Sequence, residues 1–372
     1  MNLRRGALYA GGFLGPFGGG VVTAMLPELG ADLGVSTSAA AMSLAAYLFP
    51  FAILMLVSGT LGARWGRFRT VRIAYGAYVV ASIACALAPT LPLLLAPRAI
   101  QGCANAFTTP LLMAALAATT PKQRLGRALG TFGALQAAGQ TSAPLVGGLA
   151  AEVNWRLAFV VVAVVAAVLG AAGLPEAAGS EPSGSAVRLR EALQPDVLRI
   201  GAVALLGWGA LGGLNFLVAF RAEDAFGLGP TQRGLLLTGF GIAGIVAARP
   251  VGAAIDNFGA RRAVVLGALV GAVLVVTAGT AGVLIVAAAA WAFAGVAGQG
   301  ILVGVNAAVL GLGGRNRGGA LSVVQSLRFS GQALAPVLLT PMYGVHPVVA
   351  FILPAALLAV LAPFLMPRPR QL

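Results

Sequence analysis

The chain alternates between long apolar runs and short breaks that carry most of its charge. Stretches such as 71–88, 157–174, 263–277 and 348–366 are nearly free of charge and lack the every-second-residue alternation of a half-buried strand. At a rise of 1.5 Å per residue, each is about long enough to cross ~30 Å of hydrocarbon as a helix. Runs between breaks predict twelve spans, near 6–29, 39–61, 71–90, 92–118, 128–151, 157–174, 200–221, 233–254, 263–280, 283–312, 319–343 and 348–366. Their continuity excludes a transmembrane β-barrel. Asn2-Leu3-Arg4-Arg5 resembles the basic start of a secretory signal. The run behind it is too long for a signal's apolar region and has no small-x-small cleavage site, so it is expected to be the first span.

One long polar stretch interrupts this rhythm, "PEAAGSEPSGSAVRLREALQPDVLR" at 175–199. Its Pro, Gly and Ser content predicts a cytoplasmic linker between two six-helix bundles, 1–174 and 200–372. The two halves repeat one another. Residues 128–144 match 320–336 in register, with Gly139/Gly331, Gln140/Gln332, Ala143/Ala335 and Pro144/Pro336 identical. "GTLGARWGRFR" from Gly59 matches "GAAIDNFGARR" from Gly252, and Gln101-Gly102 is echoed by Gln299-Gly300. Parallel repeats of this kind predict an all-α membrane protein with a substrate site between the halves, near the midplane.

Composition agrees with the spans: 59% of residues are hydrophobic and 9% charged, yet the net charge is +14. The basic residues explain that excess by their placement. Arg4, Arg5, Arg64, Arg67, Arg69, Arg72, Arg124, Arg127, Arg261 and Arg262 fall on the side that would carry both termini, while the opposite loops hold Arg156, Arg221 and Arg233. The positive-inside rule then predicts a multi-pass protein of the inner (plasma) membrane with both termini cytoplasmic. Scattered over short loops, the charge does not form a nucleic-acid surface, so none is expected as a partner. Cys85 and Cys103 lie inside apolar spans and read as small buried hydrophobes.

The glycine-rich loop Gly59-x-Leu61-Gly62-Ala63-Arg64-x-Gly66-Arg67 resembles the motif between helices 2 and 3 of the major facilitator superfamily, with Ala63 where the motif has an acid. Its second-half copy keeps the acid as Asp256 and the glycine as Gly259, and loses the following Arg to Asn257. Arg98-x-x-Gln101-Gly102 resembles the family's helix 4 motif. Gly139-x-x-x-Ala143-Pro144-x-x-Gly147-Gly148, followed by Trp155-Arg156 and Phe159, resembles the helix 5 signature and ending of its drug:proton antiporters. The resemblance covers essentially the whole chain. It implies a twelve-helix transporter working by alternating access, in which protons are exchanged for small amphipathic compounds or drugs on the way out.

Three groups of residues are candidates for that work. Arg98, Gln101 and Asn105 in the fourth span, and Gln325, Arg328 and Gln332 in the eleventh, share the spacing i, i+3, i+7, so each set occupies one helix face. An intramembrane Arg costs at least ~2.5–3.5 kcal/mol against lipid, so these faces are expected to turn inward and line a cavity. Gln136, Gln140, Asn215, Gln299 and Asn306 add neutral polar groups to it. Gly139, Ala143 and Gly147 form a small-residue face that, with Pro144 and Gly148, is expected to act as a bendable contact with a helix of the other half. Gly59, Arg64, Gly66, Arg67, Asp256, Gly259 and Arg261 are expected at a cytoplasmic gate, with Asp256 as the remaining acidic latch partner.

None of the ten acids falls in mid-span, and His346 sits in a loop. The unpaired Arg98 and Arg328 therefore keep a second reading open, transport or exchange of an anionic metabolite. A non-transporting receptor or scaffold is a third. An enzyme is not expected, because no Ser/His/Asp set, metal cluster or phosphate-binding loop occurs. No cofactor or metal is expected beyond a proton gradient, and the expected partners are protons, lipid and a small-molecule substrate, with the chain a monomer.

Overall fold

The computed structural model describes residues 3–173, 193–312 and 317–368, so most of the polar linker expected at 175–199 lies outside the described residues. The chain divides into two compact units, Met1–Ala186 and Val187–Leu372. The first contains α1 (Leu3–Gly20), α2 (Leu26–Asp32), α3 (Thr37–Ala40), α4 (Met42–Trp65), α5 (Arg67–Leu87), α6 (Leu91–Thr119), α7 (Lys122–Val153) and α8 (Arg156–Ala172). The second contains α9 (Pro195–Ala210), a 3-10 turn (Gly212–Leu214), α10 (Asn215–Phe226), α11 (Pro230–Phe258), α12 (Ala260–Thr280), α13 (Leu284–Gly311), α14 (Arg317–Val345) and α15 (Pro347–Leu365).

Helices occupy all twelve stretches that the apolar runs predict. Eight of them are long and apolar enough to cross a membrane by length and composition alone; the segments at 3–32, 122–153, 156–172 and 317–345 fall short of that measure. The outer faces explain why the runs are apolar all round: Val246 and Ile285 are 75% and 76% exposed. Surface of that kind is stable against lipid and not against water.

Inside each unit the same pairs pack. In the first, α1 lies on α7, α4 on α6, and α5 on both α6 and α8; in the second, α9 lies on α14, α11 on α13, and α12 on both α13 and α15. Glycine makes these contacts close. A Cβ at Gly139 would stand 2.4 Å from the Phe13 carbonyl oxygen, and one at Gly147 1.8 Å from that of Val21. Between them, Ala143 is fully buried and faces Gly20. Gly331 repeats this on α14, 2.1 Å from the Leu205 carbonyl oxygen.

These distances correct one expectation. The Gly139-Ala143-Gly147 face meets α1 of its own bundle, not a helix of the other half. Pro144 and Gly148 are buried along the same stretch, and α7 runs unbroken past the proline. The physical reason is that small residues permit close approach to any neighbouring backbone, and the nearest is the glycine-rich α1.

Gly147→Ala is expected to lower thermal stability by about 1–3 kcal/mol, because the methyl has only backbone to displace. Gly133→Ala, on the same helix with open space around its Cβ, is expected to be neutral or stabilising. Thermal unfolding of the two purified variants in detergent checks both.

Candidate functional site

Each unit contains a first helix that breaks partway along. The break ends α1 at Gly20 and α9 at Ala210. A helix end leaves its last four carbonyls without intrahelical partners, and within hydrocarbon only protein groups can supply them. In the first unit the accounting is complete. The Phe17 carbonyl accepts from the Val21 amide (3.0 Å), and the Gly20 carbonyl from the amide (3.1 Å) and Oγ1 (2.7 Å) of Thr23. Arg98 takes the other two, donating from Nη1 to Gly18 O at 2.9 Å and from Nη2 to Gly19 O at 3.4 Å.

The rest of this guanidinium is equally occupied. Its Nε donates to Ser43 O at 3.2 Å, Nη1 also donates to Gln101 Oε1 at 2.8 Å, and the group lies 4.6 Å from the Tyr47 ring centroid. Gln101 passes the network on through Nε2 to Ser82 Oγ at 2.8 Å. Asn105 is packed so close to α1 that a Cβ at Gly15 would stand 2.0 Å from its Oδ1. A cation at a helix C-terminus is favoured by the helix dipole, which is where Arg98 sits.

Burial therefore moves this stripe out of the expected cavity. Arg98 and Gln101 have no exposed surface and Asn105 has 3%. They turn inward as expected, but toward the broken end of α1, whose carbonyls compensate the charge that appears unpaired in the sequence.

The second unit closes its break without a cation. A Cβ at Gly102 on α6 would stand 2.0 Å from Tyr47 O of α4, and one at Gly295 on α13 1.9 Å from Phe240 O of α11, both 193 residues on (102 to 295, 47 to 240). In that register Trp291 stands where Arg98 does, fully buried, with its ring 4.9 Å from that of Phe240. The Gln101/Gln299 echo is thus out of structural register, and Gln299 lies half-buried on α13. Asn215 donates from Nδ2 to Gly212 O at 3.0 Å, capping the 3-10 turn, and its buried Oδ1 has no partner among the described residues.

Arg328 on α14 is different. It is partly exposed, its guanidinium lies 4.7 Å from the Trp208 ring centroid and 4.2 Å from that of Phe329, and its Nε has no hydrogen-bond partner among the described residues. Beside it Gln325 Nε2 donates to Asn306 Oδ1 at 3.1 Å. Arg328, Trp208, Gln325 and Asn306 border a narrow recess. Gln332 adds a buried Oε1 without a partner among the described residues. Gln136 and Gln140 are half-buried on α7.

At the turn from α4 to α5, Gly66 has φ +90°, and at the turn from α11 to α12, Gly259 has φ +85°. Both lie in the region that favours glycine, which accounts for the repeated motif. Gly59 and Gly252 lie inside helices and do not make the turn. Arg261 donates from Nε to Met366 O at 3.3 Å and from Nη2 to Pro363 O at 3.0 Å, tying α12 to the end of α15. Asp256 is exposed without an ion pair among the described residues, as are Arg64 and, half-exposed, Arg67. Asp256, the expected latch partner, thus has no ion pair among the described residues, and Arg261 is held by carbonyls.

The opposite ends are pinned by acids. Asp32 accepts from Arg156 and from Trp155 Nε1 (3.1 Å), and Asp224 accepts from Tyr343 at 2.8 Å. The Arg156 hydrogen bond, with help from Trp155, holds the Asp32 carboxyl below its usual range despite the opposing effect of partial burial. Trp155, Arg156 and Phe159 thus have visible roles: Trp155 packs edge-on against Phe159, whose ring lies 5.8 Å from the Arg98 guanidinium.

Two all-α units that repeat one packing plan, each with a broken first helix and a glycine turn between its second and third spans, fit a membrane transporter and not an enzyme. The profile of the Major Facilitator Superfamily matches residues 8–223 and 198–372, and the chain belongs to that family. It is 34% identical over 176 residues to the puromycin resistance protein pur8 of Streptomyces alboniger, covering 46% of this chain and 34% of that protein. It is 30% identical over 168 residues to the drug efflux pump JefA of Mycobacterium tuberculosis (strain ATCC 25618 / H37Rv), covering 44% and 33%. The chain thus spans about a third of the length of the curated relatives it matches. Among solved structures, a POT family transporter in complex with 5-aminolevulinic acid superposes with a TM-score of 0.81 at 12% identity, covering 97% of this chain and 95% of the other, and shares the fold.

Arg98→Gln is expected to cost about 3 kcal/mol, since it leaves buried carbonyls unmet, and Arg98→Lys is expected not to restore the loss because an ammonium cannot span the same acceptors. Arg328→Gln is expected to leave the unfolding temperature nearly unchanged. Calorimetry on the three variants checks the contrast. For Asp32, a lowered folded-state pKa means a stabilising contribution that is complete above pH ~4 and lost as pH falls through the lowered value. The stability gap between the wild type and Asp32→Asn is therefore expected to be constant from neutrality to about pH 5 and to close below about pH 4.

Proposed function

We propose that this transporter exports small amphipathic compounds by alternating access, in exchange for protons, across the plasma membrane with both termini cytoplasmic. The observation that carries the reading is the Arg328 recess of the second unit. A guanidinium stacked against Trp208 and Phe329, beside a Gln325–Asn306 amide pair, offers aromatic surface and hydrogen bonds together. Such a mixture suits ligands with an apolar body and few polar groups. The efflux and resistance names of relatives, and the helix 5 signature, support export. The proton gradient is the energy source, no cofactor takes part, and the chain works as a monomer.

Arg328 also favours a second reading, an anionic metabolite as cargo. With Arg98 occupied by carbonyls, Arg328 is a candidate to meet a carboxylate of the substrate, since its Nε has no partner among the described residues. Asn306, Gln325 and Gln332 complete the proposed polar lining within the second unit in either case. In the first unit Arg98, Gln101 and Asn105 hold α1.

Proteoliposomes enclosing a pH-sensitive dye, challenged with a panel of cationic, neutral and anionic amphipaths, test both readings. Proton exchange is expected to appear as a substrate-dependent internal pH change that Arg328→Gln reduces by about tenfold, the loss of a charged hydrogen bond. Transport of any panel compound without a pH change would contradict proton coupling. Flux confined to anions would decide for the second reading.

A further inference from the structure

The turn between α4 and α5 opens onto a groove in the first unit's apolar surface. Its cavity volume is about 710 Å³. Trp65, Ile73, Ile100 and Phe107 line it, with Arg64 and Arg69 among its lining residues beside the turn. The groove is built, not frayed: Trp65 stacks on Phe107 at 5.8 Å, and Thr70 is buried with its hydroxyl donating to Gly66 O at 2.9 Å.

Trp65 and Ile73 are 58% and 59% exposed. On a membrane-spanning bundle such surface meets acyl chains, since the hydrocarbon region holds no water to fill a groove. From the level of Arg69 to that of Ala77 the groove follows α5 for about 12 Å, most of the ~15 Å half-thickness of a bilayer's hydrocarbon core. A tryptophan at its charged end suits the depth of the headgroups.

Charge distinguishes this groove from an ordinary lipid-facing surface. Arg64, Arg67, Arg69 and Arg72 fall within nine residues, and position 63 is Ala where the second-half copy carries Asp256. Arg64 and Arg69 are exposed and make no ion pair among the described residues. The equivalent turn of the second unit has its acid, and its Arg261 is held by the Pro363 and Met366 carbonyls. The first unit therefore presents free guanidinium groups directly beside a chain-sized apolar groove.

We propose that this groove binds one anionic phospholipid, its phosphate and headgroup held by Arg64 and Arg69 and one acyl chain lying over Phe107 between Trp65 and Ile73. Loss of the acid at position 63 is what turns a motif that would neutralise its own arginines into a lipid site. The proposal is independent of what the protein transports.

Native mass spectrometry of the purified full chain, titrated with equal amounts of dioleoylphosphatidylglycerol and dioleoylphosphatidylcholine, tests it. Two arginines near a membrane surface predict retention of the glycerol lipid on the order of tenfold over the choline lipid. R64Q/R69Q should bring the two lipids to parity, while R124Q/R127Q, which alters exposed arginines away from the groove, should keep the preference. A77W, which fills the groove from α5, should reduce retention of both lipids without changing monodispersity. Equal retention by the wild type, a preference that survives R64Q/R69Q, or displacement of the glycerol lipid by 10 mM inorganic phosphate (about tenfold loss or more, the scale of the expected preference) would overturn the assignment.

Discussion

A helix that stops within a membrane exposes carbonyls that only the protein can satisfy, and much of this structure follows from how that demand is met. In the first unit one guanidinium meets it. Arg98 joins the end of α1 to α4 through Ser43 and Tyr47, and to α5 through Gln101 and Ser82. Four helices are thereby fixed around a point that is neither lipid-facing nor open. A charge buried this way is tolerable because its donors find acceptors, not because a counter-ion is present.

The second unit keeps the backbone plan and changes the chemistry. Gly295 brings α13 onto α11 as Gly102 brings α6 onto α4, but a Trp291–Phe240 pair replaces the cation and its tyrosine. Aromatic packing fills this position without a buried charge. One arginine of this unit, Arg328, lies on α14, 192 residues on from Gln136 of α7 (136 to 328), and its Nε has no partner among the described residues. Repetition of backbone contacts with exchange of side chains leaves the first half with an arginine whose donors are met and the second with one whose Nε has no partner among the described residues.

Much of the fold is legible in the sequence, because a membrane span has a length and a hydropathy that few other elements share. The glycines at 66 and 259 are legible too, since a positive φ leaves little choice of residue. What a helix face touches is harder to read. Small residues at 139, 143 and 147 announce close packing without naming the partner, which is α1. An inward arginine announces only that it avoids lipid. The break in α1 is the missing piece: Gly18-Gly19-Gly20 lies inside an apolar run that reads as continuous from 6 to 29, and in a continuous helix the Gly18 and Gly19 carbonyls that Arg98 meets would be paired within the helix. The Gly212-Gly213 pair marks the same break in the second unit.

The central distinction is that Arg98 is sealed into the scaffold while Arg328 is available. Phenylglyoxal, an arginine-selective reagent, tests it directly when applied to the folded protein in native membranes and read by peptide mass spectrometry. Arg328 should acquire the adduct while Arg98 stays unmodified until the protein is denatured. Labelling of Arg98 at a rate comparable to Arg328 in the folded protein would contradict the account.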